Sequence, residues 1–162
     1  MNLTDSPVAV LAIDPGKSGA VCCLGRGSLF ILRDFKSVAE IALAIRDCVQ
    51  GRILDLAVME HVHSMPKQGV VSTFSFGRAT GAAEAALALC LPQGVPLTQV
   101  EPQTWQKSFK ELGEWLPAEE DSRQTALRLF PGHQHLFSRV KDHNSADAAL
   151  MAVWGIRKFL AK

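Results

Sequence analysis

The six-residue apolar run Val8-Ala9-Val10-Leu11-Ala12-Ile13 stops abruptly at Asp14-Pro15-Gly16, and this junction constrains the fold more than any other stretch. An unbroken apolar run of that length reads as a strand buried on both faces, so each side of its sheet needs a covering layer. Pro15 and Gly16 end the strand and leave Asp14 at its carboxyl end. Ala20-Val21-Cys22-Cys23-Leu24 and Leu29-Phe30-Ile31-Leu32 predict second and third strands, separated by the turn Gly25-Arg26-Gly27.

The pattern then turns helical. Ser37 with Glu40 three residues later forms a capping box, and Val38, Ile41, Ala42, Ile45 and Val49 mark a buried helix face. Residues 54–59 predict a fourth strand ending at Glu60, and 61–71, with Pro66 and Gly69, a mobile loop. An alanine-rich helix follows over 72–90, where Gly77 and Gly81 stand four apart on one face and invite another backbone to approach. A fifth strand over 96–100 precedes helices over 102–110, 119–130 and 144–160, the last with Ala146, Ala149, Leu150, Val153 and Trp154 inward and Asn144 placed to cap it. Strands first and crossover helices after predict an α/β domain with a mixed five-stranded sheet and helices on both faces, the outline of a ribonuclease H-like domain.

A chain of 162 residues suits one domain over 1–162, and 48% hydrophobic with 20% charged residues is ordinary for a soluble enzyme. No apolar run approaches a bilayer span, and the N-terminus lacks the basic and apolar regions of a secretory signal. The cysteines Cys22, Cys23, Cys48 and Cys90 follow no zinc-finger spacing, so all are expected to be buried, reduced thiols of a cytoplasmic protein. A net charge of +1 gives weak support for a nucleic-acid partner. Basic residues gather from Arg139 onward, however, while Glu111, Glu114, Glu119, Glu120 and Asp121 concentrate acid in one segment, so a neutral total can hide a basic face.

Three acids sit where apolar elements end or begin: Asp14 after the first strand, Glu60 after the fourth, and Asp147 near the start of the final helix. If strands one and four are neighbours, Asp14 and Glu60 face each other at the carboxyl edge of the sheet, and a helix packed across it can deliver Asp147. Clustered carboxylates repel, and Mg2+ or Mn2+ relieves this with all-oxygen ligands. Two such ions roughly 4 Å apart can activate a water and stabilise the leaving oxygen in phosphodiester cleavage, giving 5′-phosphate and 3′-hydroxyl ends.

Five segments in order resemble the RuvC-type Holliday junction resolvases, with a flavour of the phage-encoded and plastid-type members. They are Ala12-Ile13-Asp14-Pro15-Gly16-Lys17-Ser18-Gly19-Ala20, Val58-Met59-Glu60-His61-Val62, Phe76-Gly77-Arg78-Ala79-Thr80-Gly81, Val100-Glu101-Pro102-Gln103-Thr104-Trp105-Gln106-Lys107 and Lys141-Asp142-His143-Asn144-Ser145-Ala146-Asp147-Ala148-Ala149-Leu150. The resemblance implies a homodimeric endonuclease that nicks opposed strands of a four-way DNA junction symmetrically, with two Mg2+ ions (Mn2+ able to substitute), no organic cofactor and no membrane. It implies metal ligands at Asp14, Glu60 and Asp147, a dimer through the glycine-containing helix, and a catalytic or backbone-contacting lysine at Lys107, with Lys110 beside it. Bacterial members often carry an acid three residues before the final aspartate; Asn144 stands there, leaving Asp142 and His143 as candidates for a fourth ligand. The aromatic wedge that follows the family's glutamate is replaced by His63, with Met65 close by, and Lys67, Arg78, Arg123 and Lys141 could add phosphate contacts.

Other readings stay open. A relative that binds junctions without cutting them, or a nuclease for another branched or flapped DNA, fits the same residues. Ile13-Asp14-Pro15-Gly16-Lys17-Ser18-Gly19 also resembles the phosphate loop of sugar kinases and actin-like ATPases, but those need two such domains and longer chains.

Overall fold

Residues 2–16, 18–63, 69–117 and 121–162 are described by the computed structural model of the chain. Strands β1 (Val10–Asp14), β2 (Ala20–Gly25), β3 (Ser28–Arg33), β4 (Leu56–Glu60) and β5 (Leu97–Val100) form one sheet in the order β3-β2-β1-β4-β5. The first three run antiparallel through two tight connections, with Ile13 opposite Val21. β4 returns parallel to β1, pairing Ile13 with Met59, and β5 lies parallel to β4, pairing Glu60 with Val100. The two parallel pairs explain the apolar runs: strands covered on both sides need no polar alternation. Val10, Leu11, Ala12 and Ile13 are all fully buried.

Helices α1 (Val38–Val49) and α2 (Val70–Cys90) cover one face, whereas α3 (Pro102–Glu111), α4 (Ser122–Leu129) and α5 (His143–Leu160) cover the other. Alternation sorts the strands between two cores. Val10, Ala12, Cys22 and Val58 meet α5, and Leu11, Ile13, Cys23 and Met59 meet the α1–α2 layer. α5 is the central helix, buried from Ser145 to Ile156 except at Asp147. At Gly155 it lies so close to the sheet that an added Cβ would meet a Val58 methyl at 2.9 Å and a Val10 methyl at 3.0 Å. This is the mixed, doubly covered sheet expected of a ribonuclease H-like domain.

Several local expectations are corrected. Ser37 accepts from the Glu40 N–H at 3.3 Å, but the Glu40 carboxylate bonds the Lys36 N–H at 2.8 Å instead of the N-cap residue's own. On α1, Ala44 and Cys48 join the buried face, Ala42 packs against it half-buried, and Val38 is half-buried. α2 begins at Val70, inside the expected loop; of that loop, residues 64–68 lie outside the described residues. α4 begins at Ser122 under an Asp121 cap, and Asn144 does not cap α5 but donates to the Ser18 carbonyl at 2.5 Å. Cys90 is half-buried rather than buried, while Cys22, Cys23 and Cys48 are buried thiols. Among the described residues no helix is long and apolar enough to cross a membrane.

Candidate active site

The carboxyl edge of the two central strands gathers the acids. Asp14 ends β1 and Glu60 ends β4, one step past the parallel pair Ile13–Met59. α5 packs across these strands and brings Asp147, one turn inside its start, against them. Burial pushes the Asp14 carboxyl well above the usual carboxylate range, and the charges of Glu60 and Asp147 push it further. Glu60 is raised to about 6 by burial and by Asp147 and Glu101, although a hydrogen bond from Trp105 opposes this. Asp147 is also raised to about 6 by burial, with the Asp121 charge adding and the Ser122 hydrogen bond and His143 opposing. Asp14 and Glu60 therefore resist ionisation partly because of the acids beside them, and Asp147 chiefly because it is buried; a cation relieves such crowding.

Neighbouring groups fix these carboxylates in place. Trp105 Nε1 donates to Glu60 Oε1 at 3.0 Å, and Trp105 is itself fully buried. The Asn144–Ser18 bond ties the first turn of α5 to the β1–β2 turn that follows Asp14. Two clefts open on the cluster. One, of about 730 Å3, runs from Asp14, Gly16 and Asn144 to Ser72 and Phe76 on α2. The other, of about 970 Å3, runs from Asp147 and His143 past Asp121 to Lys110 and Trp115. The acids thus lie between two open clefts.

The remaining predicted site residues separate into those near this edge and those committed elsewhere. His143 lines the second cleft one helical turn before Asp147 and acts on its charge. Asp142 does not join the cluster. Its buried carboxylate takes the Arg139 backbone N–H at 2.9 Å, Arg139 Nε at 2.8 Å and Arg33 at 3.1 Å. Burial alone would raise its pKa, but these cationic partners hold it below the usual range, so both oxygens serve the fold. Lys107 is also corrected: it faces solvent and pairs with Glu111 at 3.6 Å. Gln106 and Lys110, four apart on α3, line the cleft instead, because Lys107 is turned about 100° from that face.

Arg123 is a structural residue rather than an open phosphate contact, since its guanidinium donates to the Phe137 and Ser138 carbonyls at 3.2 and 3.3 Å. Lys141 pairs with Asp34 at 3.3 Å, and Arg78 lies exposed on α2, 6.0 Å from the Phe74 ring centre. His63 is exposed, with its ring 6.0 Å from that of His61. Met65 and Lys67 lie outside the described residues. The basic tail is also less free than its sequence suggests: Arg139 bonds Asp34 and Asp142, and Arg157 bonds Glu114 at 2.7 Å. Nothing in the sequence signals that Trp105 would hold Glu60 or that Ser122 and Asp121 would act on Asp147, since all three lie far from those acids along the chain.

The same fold occurs in solved structures of junction-processing proteins. It superposes on Thermus thermophilus RuvC, free (TM-score 0.62, 17% identity, covering 95% of this chain and 97% of that one). Against T. thermophilus RuvC in complex with a Holliday junction substrate the TM-score is 0.57 at 18% identity, covering 90% of each chain. The fold is that of RuvC. The yeast mitochondrial Holliday junction resolvase Ydc2 shares it as well, with a TM-score of 0.63 at 15% identity over 94% of this chain and 79% of that one. No family profile matches the sequence, and no curated protein does. At such identities the likeness lies in the RuvC-type arrangement of sheet and helices, and the chemistry must be argued from the side chains.

Proposed function

We propose that the protein is a metal-dependent endonuclease that resolves four-way DNA junctions. The observation that carries this is the meeting of Asp14, Glu60 and Asp147 at the carboxyl edge of a RuvC-type sheet, each with its pKa raised. The donor set is all oxygen, and the crowding of buried negative charge fits Mg2+ or Mn2+, two ions per site. When bound, such ions supply positive charge to the scissile phosphate and lower the pKa of the attacking water.

The chain's own residues supply position and proton handling. Trp105 holds one Glu60 oxygen, leaving the other for a cation, and Ser122 does the same for Asp147. His143 is the candidate for the fourth position, where an imidazole can bind a cation or accept the water's proton. Lys110, in the same cleft, offers an ammonium to a backbone phosphate. The open clefts favour binding by phosphates and shape over base reading.

Symmetric nicking needs two such sites, and the reading includes a homodimer through α2. The outward face of that helix carries Val70, Phe74 and Leu89, 85%, 68% and 86% exposed, with nothing near Gly77 or Gly81. An apolar stripe around two glycines suits a second copy packed across a two-fold axis. The test is cleavage of a labelled synthetic four-way junction in magnesium beside Asp14→Asn. Paired, ligatable nicks absent from the variant support the reading. Tight junction binding by both proteins without cleavage leaves a non-catalytic junction binder, and nicks confined to flaps or other branches leave a nuclease of different substrate.

A further inference from the structure

A second group of metal-ligating side chains lies at the same edge, but on the other side of the sheet. Along β4, Leu56 and Val58 face the α5 core and Ala57 and Met59 the α1–α2 core, so alternation gives Glu60 to the first side and His61 to the second. The His61 N–H extends the β4–β5 ladder by one rung, bonding the Val100 carbonyl at 2.8 Å. That rung sets Glu101, the residue after β5, beside His61, and His61 Nδ1 lies 2.5 Å from Glu101 Oε1. His63, two residues on, completes the group: one donor atom from each of the three lies within 4.8 Å of the others. All three side chains reach solvent.

The geometry points to a zinc-class divalent ion held by His61, His63 and Glu101, separate from the Asp14–Glu60–Asp147 cluster. Two imidazoles and one carboxylate suit zinc, or cobalt in its place, and not magnesium, which favours oxygen throughout. Bonds of about 2.0–2.1 Å to a tetrahedral ion set donors about 3.3 Å apart. The present separations of 2.5 Å and up to 4.8 Å straddle that value, so side-chain rotation suffices. A surface pair of His61 with Glu101 would not need His63, whose convergence on the same point is what a third ligand requires. Three protein ligands leave a fourth position open to water or a phosphate oxygen. Occupancy would tie the exit of β4 to the N-cap of α3, the helix that carries Trp105.

This inference does not depend on the nuclease reading, and cobalt(II) alone tests it. The full chain is titrated with cobalt(II) in excess magnesium and followed by the visible absorption of the bound ion. One cobalt per chain is expected, displaced by zinc and unaffected by more magnesium. Affinity should fall at least about tenfold in His63→Ala and in Glu101→Gln, as loss of a ligand costs no less than loss of a supporting partner. It should persist in Asp14→Asn and Glu60→Gln, whatever those variants do to junction cleavage. Absence of binding, displacement by magnesium, indifference to His63→Ala and Glu101→Gln, or loss in Asp14→Asn would each overturn it.

Discussion

Asp147→Asn should stabilise the metal-free protein, against the usual direction for a substitution. Asp147 titrates at about 6 in the folded chain against an ordinary 3.8, chiefly because burial penalises its charge. A folded pKa above the unfolded one means that the folded state binds the proton more tightly. Its contribution to stability is therefore complete below about pH 4 and is lost as the pH rises to about 6. Above that, ionisation costs about 3 kcal/mol, taking about 1.36 kcal/mol for each pH unit between 3.8 and about 6. Asparagine has no charge to bury and keeps an oxygen for Ser122. For a domain of this size each kcal/mol moves Tm by about 2–4 °C, so the variant should melt about 6–12 °C higher near pH 8 in EDTA. Thermal melts across pH provide the assay. The gap should narrow to well under about 1 kcal/mol near pH 4, and magnesium should raise the wild-type Tm more than the variant's. A variant that melts at or below the wild type near pH 8 without metal, or a gap independent of pH, would refute the reasoning.

Asp142→Asn should act in the opposite sense, because it leaves Arg139 and Arg33 without the buried carboxylate they share. A loss of about 3 kcal/mol is expected in denaturant melts near pH 7. Since the Asp142 pKa is lowered on folding, its contribution is present above its unfolded value and fades as the pH falls below it, so the two proteins should converge in acid. Gly19→Ala would drive a Cβ to 2.0 Å from the Asp14 carbonyl oxygen and displace the turn that carries that acid. Junction nicking should fall about a hundredfold, the scale of a 1 Å misplacement; nicking at the wild-type rate would show that the turn adapts freely. A Cβ at Gly81 meets nothing within 4 Å, so Gly81→Arg should leave the protomer folded, while sedimentation should shift from dimer to monomer. A variant that remains dimeric would move the interface off α2.

How much of this was legible follows from what each feature depends on. The succession of strands and helices along the chain and the two-sided cover were legible in the apolar runs, because burial on both faces leaves a local trace. Asp14 and Glu60 were legible for the same reason: each is the first charged residue after such a run, and parallel neighbours share their carboxyl ends. What depends on pairing between distant elements left no such trace. Whether Lys107 or Lys110 faces the cleft is decided by which side of α3 meets Trp115 and α5, and the sequence near them suits either. The convergence of His61 with Glu101 depends on the β4–β5 register, which the strands' composition does not specify.

Asp142 and Asp147 bring this to its sharpest form. They stand five residues apart at the start of one helix, with the same side chain and nearly the same local sequence signals. Folding lowers the pKa of one and raises that of the other, because Arg139 and the β3 residue Arg33 pair with Asp142, whereas Asp147 is pushed up chiefly by burial, with the Asp121 charge adding. A carboxylate already neutralised by arginine has little left to offer a cation, and one crowded by other acids has a strong reason to bind it. The distinction between a structural acid and a metal ligand therefore lies in the partners that the sheet order brings, and opposite responses of the two asparagine variants would display it in a single set of melts.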